Sequence, residues 1–298
     1  MKTVYIVKQT AGVATENARP HPRRPKRRPP PPAAAAAEDS PGNGQAMEWI
    51  GFVVGLIVGS FLNVCIHRLP QSMSIVRPRS RCPQCGRPIR PRDNIPLVSY
   101  LLLRGRCRDC GRRIPWRYPL VEALTGAFGA LSVMRFGFGA TALVVFVLVC
   151  ALLVVTFIDL DHRIIPDAIS LPGILLGLAV SFGPGLISPL ESLGGALLGG
   201  GVLFLVAWGY QRLAGREGMG GGDIKLLAMI GAFLGWKGVA VTLFIASLSG
   251  TIAGLVVMLR RTEGMRAAVP FGPFLAIGAI AYLFRGPELV RWYLGTMG

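Results

Sequence analysis

The sequence predicts an all-α polytopic membrane protein of about eight transmembrane helices, with one long cytoplasmic loop. Three observations predict it. Hydrophobic residues make up 52% of the 298 residues and the mean hydropathy is +0.51, too apolar for an ordinary soluble domain. Runs without charge recur, such as the nineteen residues from Ala140 to Ile158. The basic residues collect between these runs. The net charge of +17 therefore reads as a signal of loop orientation, not as a footprint for nucleic acid.

Residues 1–46 stand apart from the rest. "RPHPRRPKRRPPPPAAAAAEDSPGNG" is rich in Pro, Arg and Ala, has no apolar pattern and reads as a disordered extension. It lacks the apolar core of a signal peptide. Met47 opens directly into "EWIGFVVGLIVGSFLNV" and is the expected translation start. The alternative is a genuine basic tail, whose eight Lys/Arg would have to cross the membrane.

A helix needs about 20 residues to cross the hydrocarbon layer. On that measure the candidate segments are 48–66, 119–134, 139–158, 168–184, 190–209, 224–236, 238–258 and 270–284. The loop from His67 to Tyr118 carries thirteen arginines and two acids, which puts it in the cytoplasm. Alternating from there, the turns after Ile158 and Tyr210 and around "RRTEGMR" face the cytoplasm too. Loops such as "FGPGLISPLES" face outward and hold almost no Lys or Arg. His67 and Arg68 mark the interface. The domain reading is 1–46 extension, 47–134 amino-terminal half containing loop 67–118, and 135–298 membrane domain.

Two stretches bring acids to the cytoplasmic boundary: "DLDHRIIPD" (Asp159 to Asp167) and "GMGGGDIKLL" (Gly218 to Leu227). Thirteen residues separate Asp223 from Lys237, about 20 Å of helix and a short crossing. A re-entrant hairpin there would put "RRTEGMR" outside, against the charge rule. Singly, each acid has an ordinary reading. Asp223 and Asp167 suit helix N-caps, Asp161 a solvated loop, and Gly220 to Gly222 a flexible linker. Together, two carboxylates on separate helices can converge on one water, share a single proton and hydrolyse a peptide bond. Glycines beside one of them would let an extended peptide approach.

The cytoplasmic loop holds "CPQC" (Cys82, Cys85) and "CRDC" (Cys107, Cys110), separated by twenty-one residues. Four thiolates in two such knuckles suit tetrahedral Zn2+ and predict a zinc-ribbon-like loop. Disulfides are the weaker reading in a reducing cytosol. Cys65 and Cys150 lie in apolar runs and read as core.

Several of these motifs also carry a resemblance. Gly220-Gly221-Gly222-Asp223 resembles the Gly-x-Gly-Asp signature of intramembrane aspartyl proteases. "DLDHRIIPD" resembles the first aspartate motif of type IV prepilin peptidases, whose catalytic Asp stands seven residues before a Pro. The resemblance implies Asp159 and Asp223 as the catalytic pair, with Gly220 and Gly222 in support. "GSFLNVCIHRLP", "NIPLVSYLLLRGRCRDCG" and "RYPLVEALTG" resemble the amino-terminal half of those enzymes, associated with N-methylation of the new pilin terminus by S-adenosylmethionine. In that family zinc is linked to methyl transfer and not to cleavage. Glu122, an acid in the first turn of a membrane helix, is costly unless paired or functional. It is expected to pair with an arginine such as Arg117, or to assist methyl transfer.

The resemblance covers nearly all of residues 47–298. It implies a bifunctional enzyme of the bacterial inner membrane acting on a type IV prepilin or pseudopilin. Two other classes stand against it. A proton or ion transporter would place acids near the bilayer midplane, and the eight segments hold none there. A non-enzymatic scaffold would need the cysteines and tolerate loss of both aspartates.

Overall fold

The computed structural model describes residues 41–183, 186–215, 220–260 and 270–296. Their regular structure is helical, without a named strand among the described residues, and the long stretch between α1 and α3 is mostly turns and extended chain. The helices are α1 (Pro41–Arg68), α2 (Val98–Leu102), α3 (Arg117–Phe136), α4 (Ala140–His162), α5 (Asp167–Val180), α6 (Pro189–Ala214), α7 (Gly221–Arg260) and α8 (Gly272–Thr296). Residues 1–40, like Gly218, Met219 and most of "RRTEGMR", lie outside the described residues. The helix α1 begins ahead of Met47, at Pro41.

Every predicted apolar segment falls on a helix. Length and composition alone qualify four as membrane-crossing: Gly44–Gln71, Ala140–His162, Pro189–Ala214 and Gly221–Leu259. The chain is thus an all-helical, multi-pass membrane protein. Segments 224–236 and 238–258 are the two arms of α7, parted at Gly235, whose φ of 69° and ψ of −176° no helix contains. The arms fold back on each other. A Cβ on Gly199 of α6 would sit 2.5 Å from the Leu227 carbonyl oxygen and 3.3 Å from Val239. Twelve residues of straight helix would hold those two about 18 Å apart.

Small residues set the closest contacts, as expected where lipid tails give side chains no reason to hide. Gly51, Gly55 and Gly59 of α1 lie on α3, where an added Cβ would meet Gly129 O at 2.8 Å, Thr125 O at 2.5 Å and the Glu122 Cα at 2.8 Å. Gly195 of α6 and Gly231 of α7 each press on the other's carbonyl. Nearby, the Ser192 hydroxyl donates to Ala232 O at 2.6 Å, giving a buried hydroxyl a partner across the same seam. The best-buried apolar side chains come largely from α4 and the first arm of α7, including Leu148, Leu152, Ile158, Leu226 and Ile230. Cys65 and Cys150 are buried there, as expected of core residues.

Candidate active site

The aspartates do not sit on loops as the hydropathy pattern suggested. Helix α4 continues past the apolar run to His162, so Asp159 and Asp161 occupy its last turn. The helix ends at Arg163, whose φ of 56° turns its N–H back to the Asp159 carbonyl at 2.9 Å. Hydropathy ended four residues too early because the end of an apolar run is not the end of a helix. Asp167 is likewise the first residue of α5, with Pro166 at the cap position. Its carboxylate accepts from Lys225 Nζ at 2.7 Å on both oxygens. That pair ties the start of α5 to the start of α7.

Three chain ends meet at Asp159. Its side chain is buried, and its Oδ2 accepts the backbone N–H of Gly272 at 2.9 Å, where α8 begins. A Cβ on Gly272 would lie 2.7 Å from that oxygen and 3.4 Å from Ile165 Cδ1. Ile165, in the turn after α4, also covers Gly222, whose added Cβ would come within 2.9 Å of the isoleucine Cβ. Asp223 follows Gly222 directly on α7, and Ile165 touches both Gly222 and Gly272, the Asp159 donor. Asp159 and Asp223 therefore approach from separate helices on either side of Ile165, with the head of α8 on the Asp159 carboxylate.

The glycines divide the work differently from the expectation. Gly222 is bare because Ile165 occupies the space of a side chain, not because the strip there is open. Gly221 has nothing near it, and Gly220 faces Asp223 Oδ2, where an added Cβ would be 3.7 Å away. Only these two leave backbone accessible beside the acid. Gly272 went unnoticed in the sequence. Its one signal is the "FGP" at the head of the last apolar segment, and nothing local says which acid its N–H will meet.

Glu122 is not at this place. Its Oε2 accepts the Leu97 backbone N–H at 2.8 Å, and Arg117 pairs instead with Asp161. The expected Glu122–Arg117 pair is thus replaced by two contacts reaching in opposite directions. One holds the loop; the other joins the start of α3 to the last turn of α4. The loop is held at its beginning too, where Arg68 donates to Ser74 O at 2.8 Å and Pro78 O at 2.7 Å.

The cysteines form a separate centre. The Sγ atoms of Cys82, Cys85, Cys107 and Cys110 all lie within 4.8 Å of one another, with Cys82 and Cys110 at 3.9 Å. Tetrahedral zinc with bonds of about 2.3 Å sets its sulfurs about 3.8 Å apart, so the quartet fits that ion. The sequence builds each half the same way, as CxxCGR. Cys82 and Cys107 accept from Gly86 and Gly111, both at φ +70°, and donate to Arg87 O at 2.9 Å and Arg112 O at 2.8 Å. Asp109 in the second knuckle pairs with Arg87 in the first at 3.4 Å. Asp93 is gripped by Arg108 through three contacts of 2.7–3.0 Å.

The thiols are pulled apart by their surroundings. Loss of water acts against the Cys82 thiolate, yet backbone N–H groups of Cys85 and Gln84 and the facing thiols bring it down to about 7. For Cys110 the Arg112 backbone favours the thiolate, but desolvation and the three other sulfurs push it up to about 11. A dication that binds all four displaces those shared protons.

Comparison with known proteins gives the family. Residues 53–136 match the model of the bacterial peptidase A24 N-terminal domain, and residues 146–255 that of the type IV leader peptidase family. The prepilin leader peptidase/N-methyltransferase of Aeromonas salmonicida is 39% identical over 271 residues, covering 83% of this chain and 93% of that protein. The protein of the same name from Pseudomonas aeruginosa is 40% identical over 270 residues, with the same coverage. That from Burkholderia pseudomallei is 39% identical over 259 residues, covering 78% and 84%. No solved structure matches the chain. Two family models in the right order, and relatives alike over most of their length, place the chain in the type IV leader peptidase family.

Proposed function

We propose that this protein removes the leader peptide of type IV prepilins or pseudopilins and N-methylates the amino terminus so exposed. The observation that carries the peptidase half is the approach of Asp159 and Asp223 from separate helices on either side of the Ile165 turn. One carboxylate takes a proton from water, whose oxygen attacks the scissile carbonyl. The other, protonated, gives its proton to the carbonyl oxygen; the first then passes the water's proton to the leaving amine while the second takes a proton back from the gem-diol as it collapses. Gly220 and Gly221 give the extended substrate backbone room beside Asp223.

The amino-terminal half is assigned to methylation, with S-adenosylmethionine as the donor. No residue of the chain is assigned to holding that donor. Cys82, Cys85, Cys107 and Cys110 would hold Zn2+, which on binding fixes the two halves of the loop to each other. We take residues 47–134 and 135–298 as the two functional parts, crossing the bacterial inner membrane eight times. The arginine-rich loop and both aspartates face the cytoplasm, where a membrane-anchored prepilin presents its leader.

Membranes containing wild type, Asp159→Ala, Asp223→Ala or Cys82→Ser would be given a prepilin, with leader loss and methyl gain read separately by mass. Each Asp variant is expected to abolish cleavage, while Cys82→Ser cleaves without methylating. Cleavage by both Asp variants would return the aspartates to helix capping and leave a zinc-ribbon scaffold.

A further inference from the structure

Helix α2 is built inside out for a soluble loop. Val98, Leu101 and Leu102 stand at i, i+3 and i+4 and so share one face. That face is the exposed one: Leu101 and Leu102 are 73% and 75% accessible. The polar side is turned inward, where buried Ser99 donates to Arg92 O at 2.9 Å and accepts from the Ile95 N–H at 3.0 Å. A short helix that hides its serine and shows its leucines has the pattern of a segment facing lipid.

Its depth agrees with that pattern. The residue just before α2, Leu97, is hydrogen-bonded to Glu122. Glu122 lies five residues into α3 from Arg117, about 7.5 Å along its axis. On the neighbouring helix, Gly59 backs onto Glu122 and Arg68 lies nine residues further on, about 14 Å. The middle of the loop thus dips back along the membrane helices instead of hanging free beyond their ends. The exposed indole of Trp116 stands at the mouth of α3, where aromatic side chains favour the headgroup layer.

Charge complements the apolar face. Both acids of the loop are already paired, Asp93 with Arg108 and Asp109 with Arg87 and Arg90. Exposed Arg104 and Arg106 follow α2, and exposed Arg113 is bridged to Arg106; among the described residues the three form no ion pair. Arginines beside exposed leucines suit a surface of anionic phosphates.

We propose that α2 is a membrane-surface anchor. Leu101 and Leu102 enter the boundary between headgroups and acyl chains, and the flanking arginines rest on anionic phospholipid. The cysteine centre is thereby held against the bilayer. The occupant is the leaflet itself, because Glu122 fixes the helix at that level whether or not a substrate is present.

The test uses the full, metal-replete chain in vesicles of phosphatidylethanolamine and phosphatidylglycerol. A ketone-bearing amino acid is placed at position 101 or 76 and coupled to a nitroxide, which leaves the cysteines untouched. Val76 is 78% exposed, lies near the start of the loop and serves as the aqueous reference. Collisions with oxygen should exceed those with a nickel chelate at position 101, and the order should reverse at 76. Equal nickel access at both positions would overturn the proposal. So would protection at 101 that appears only when a prepilin is added, because the face would then belong to the substrate.

Discussion

Replacing Gly272 by alanine adds one methyl group at a place with no room for it. The new carbon would stand 2.7 Å from Asp159 Oδ2 and 3.3 Å from its Cγ, with Ile165 Cδ1 at 3.4 Å on the other side. The carboxylate must move, and its 2.9 Å bond from the Gly272 N–H lengthens or breaks. Hydrogen bonds to charged groups are worth about 1.5–3 kcal/mol, so kcat for cleavage should fall by about 10- to 150-fold. Because Gly272 positions an acid and binds no substrate, KM should hardly change. Methylation of a pre-cleaved pilin by the same preparation reports whether the protein is folded. A Gly272→Ala enzyme that methylates normally and cleaves at the wild-type kcat would show that the contact plays no part in the chemistry. Loss of both activities would mark Gly272 as structural.

Three further outcomes are expected. Glu122→Ala leaves the Leu97 N–H without its partner, at a cost of about 1–3 kcal/mol. Faster amide exchange at Leu97 should reveal it, whereas Glu122→Gln, which keeps an acceptor, should stay near wild type. Gly231→Ala should lower the melting temperature in detergent, because its methyl overlaps the Gly195 carbonyl and overpacking costs about 1–3 kcal/mol. Gly201→Ala, with open space around it, should not. The hydrogen bond from Arg108 holds the Asp93 carboxyl below the usual carboxylate range. Its contribution to loop stability is therefore complete above the unfolded value of about 3.9 and fades as pH falls through the lower folded value. Proteolytic clipping of the loop at acid pH should show this, and Asp93→Asn should lose that pH dependence.

The sequence was most informative where chemistry depends on spacing. The CxxCGR repeats give the cysteine quartet directly, since the turn that aims each pair of sulfurs is local. Charge bias and apolar length likewise located the helices, including the two arms of α7, because each helix must satisfy its own backbone in lipid. Contacts joining distant segments could not be read the same way. The partner of Glu122 is a backbone N–H twenty-five residues earlier, and Arg117 finds Asp161 forty-four residues on. An arginine is the partner that charge alone suggests for Glu122, yet a half-buried amide in a tight turn needs an acceptor just as much. The Gly272 donor was hidden for a related reason. A main-chain group carries no residue identity, and only the packing of α8 against α4 shows which side chain it meets.

The glycine seams divide the molecule mechanically. Where α1 rests on α3, and α6 on the first arm of α7, main chain lies on main chain, and no side chain between them can swing aside. Each pair is a stiff strut. Any widening that lets a helical guest reach the acids must fall on softer joints: the short turn through Ile165, the Lys225–Asp167 clasp and the head of α8. Asp159 and Asp223 stand at those joints, so the parts of the bundle best able to yield are the ones that surround them.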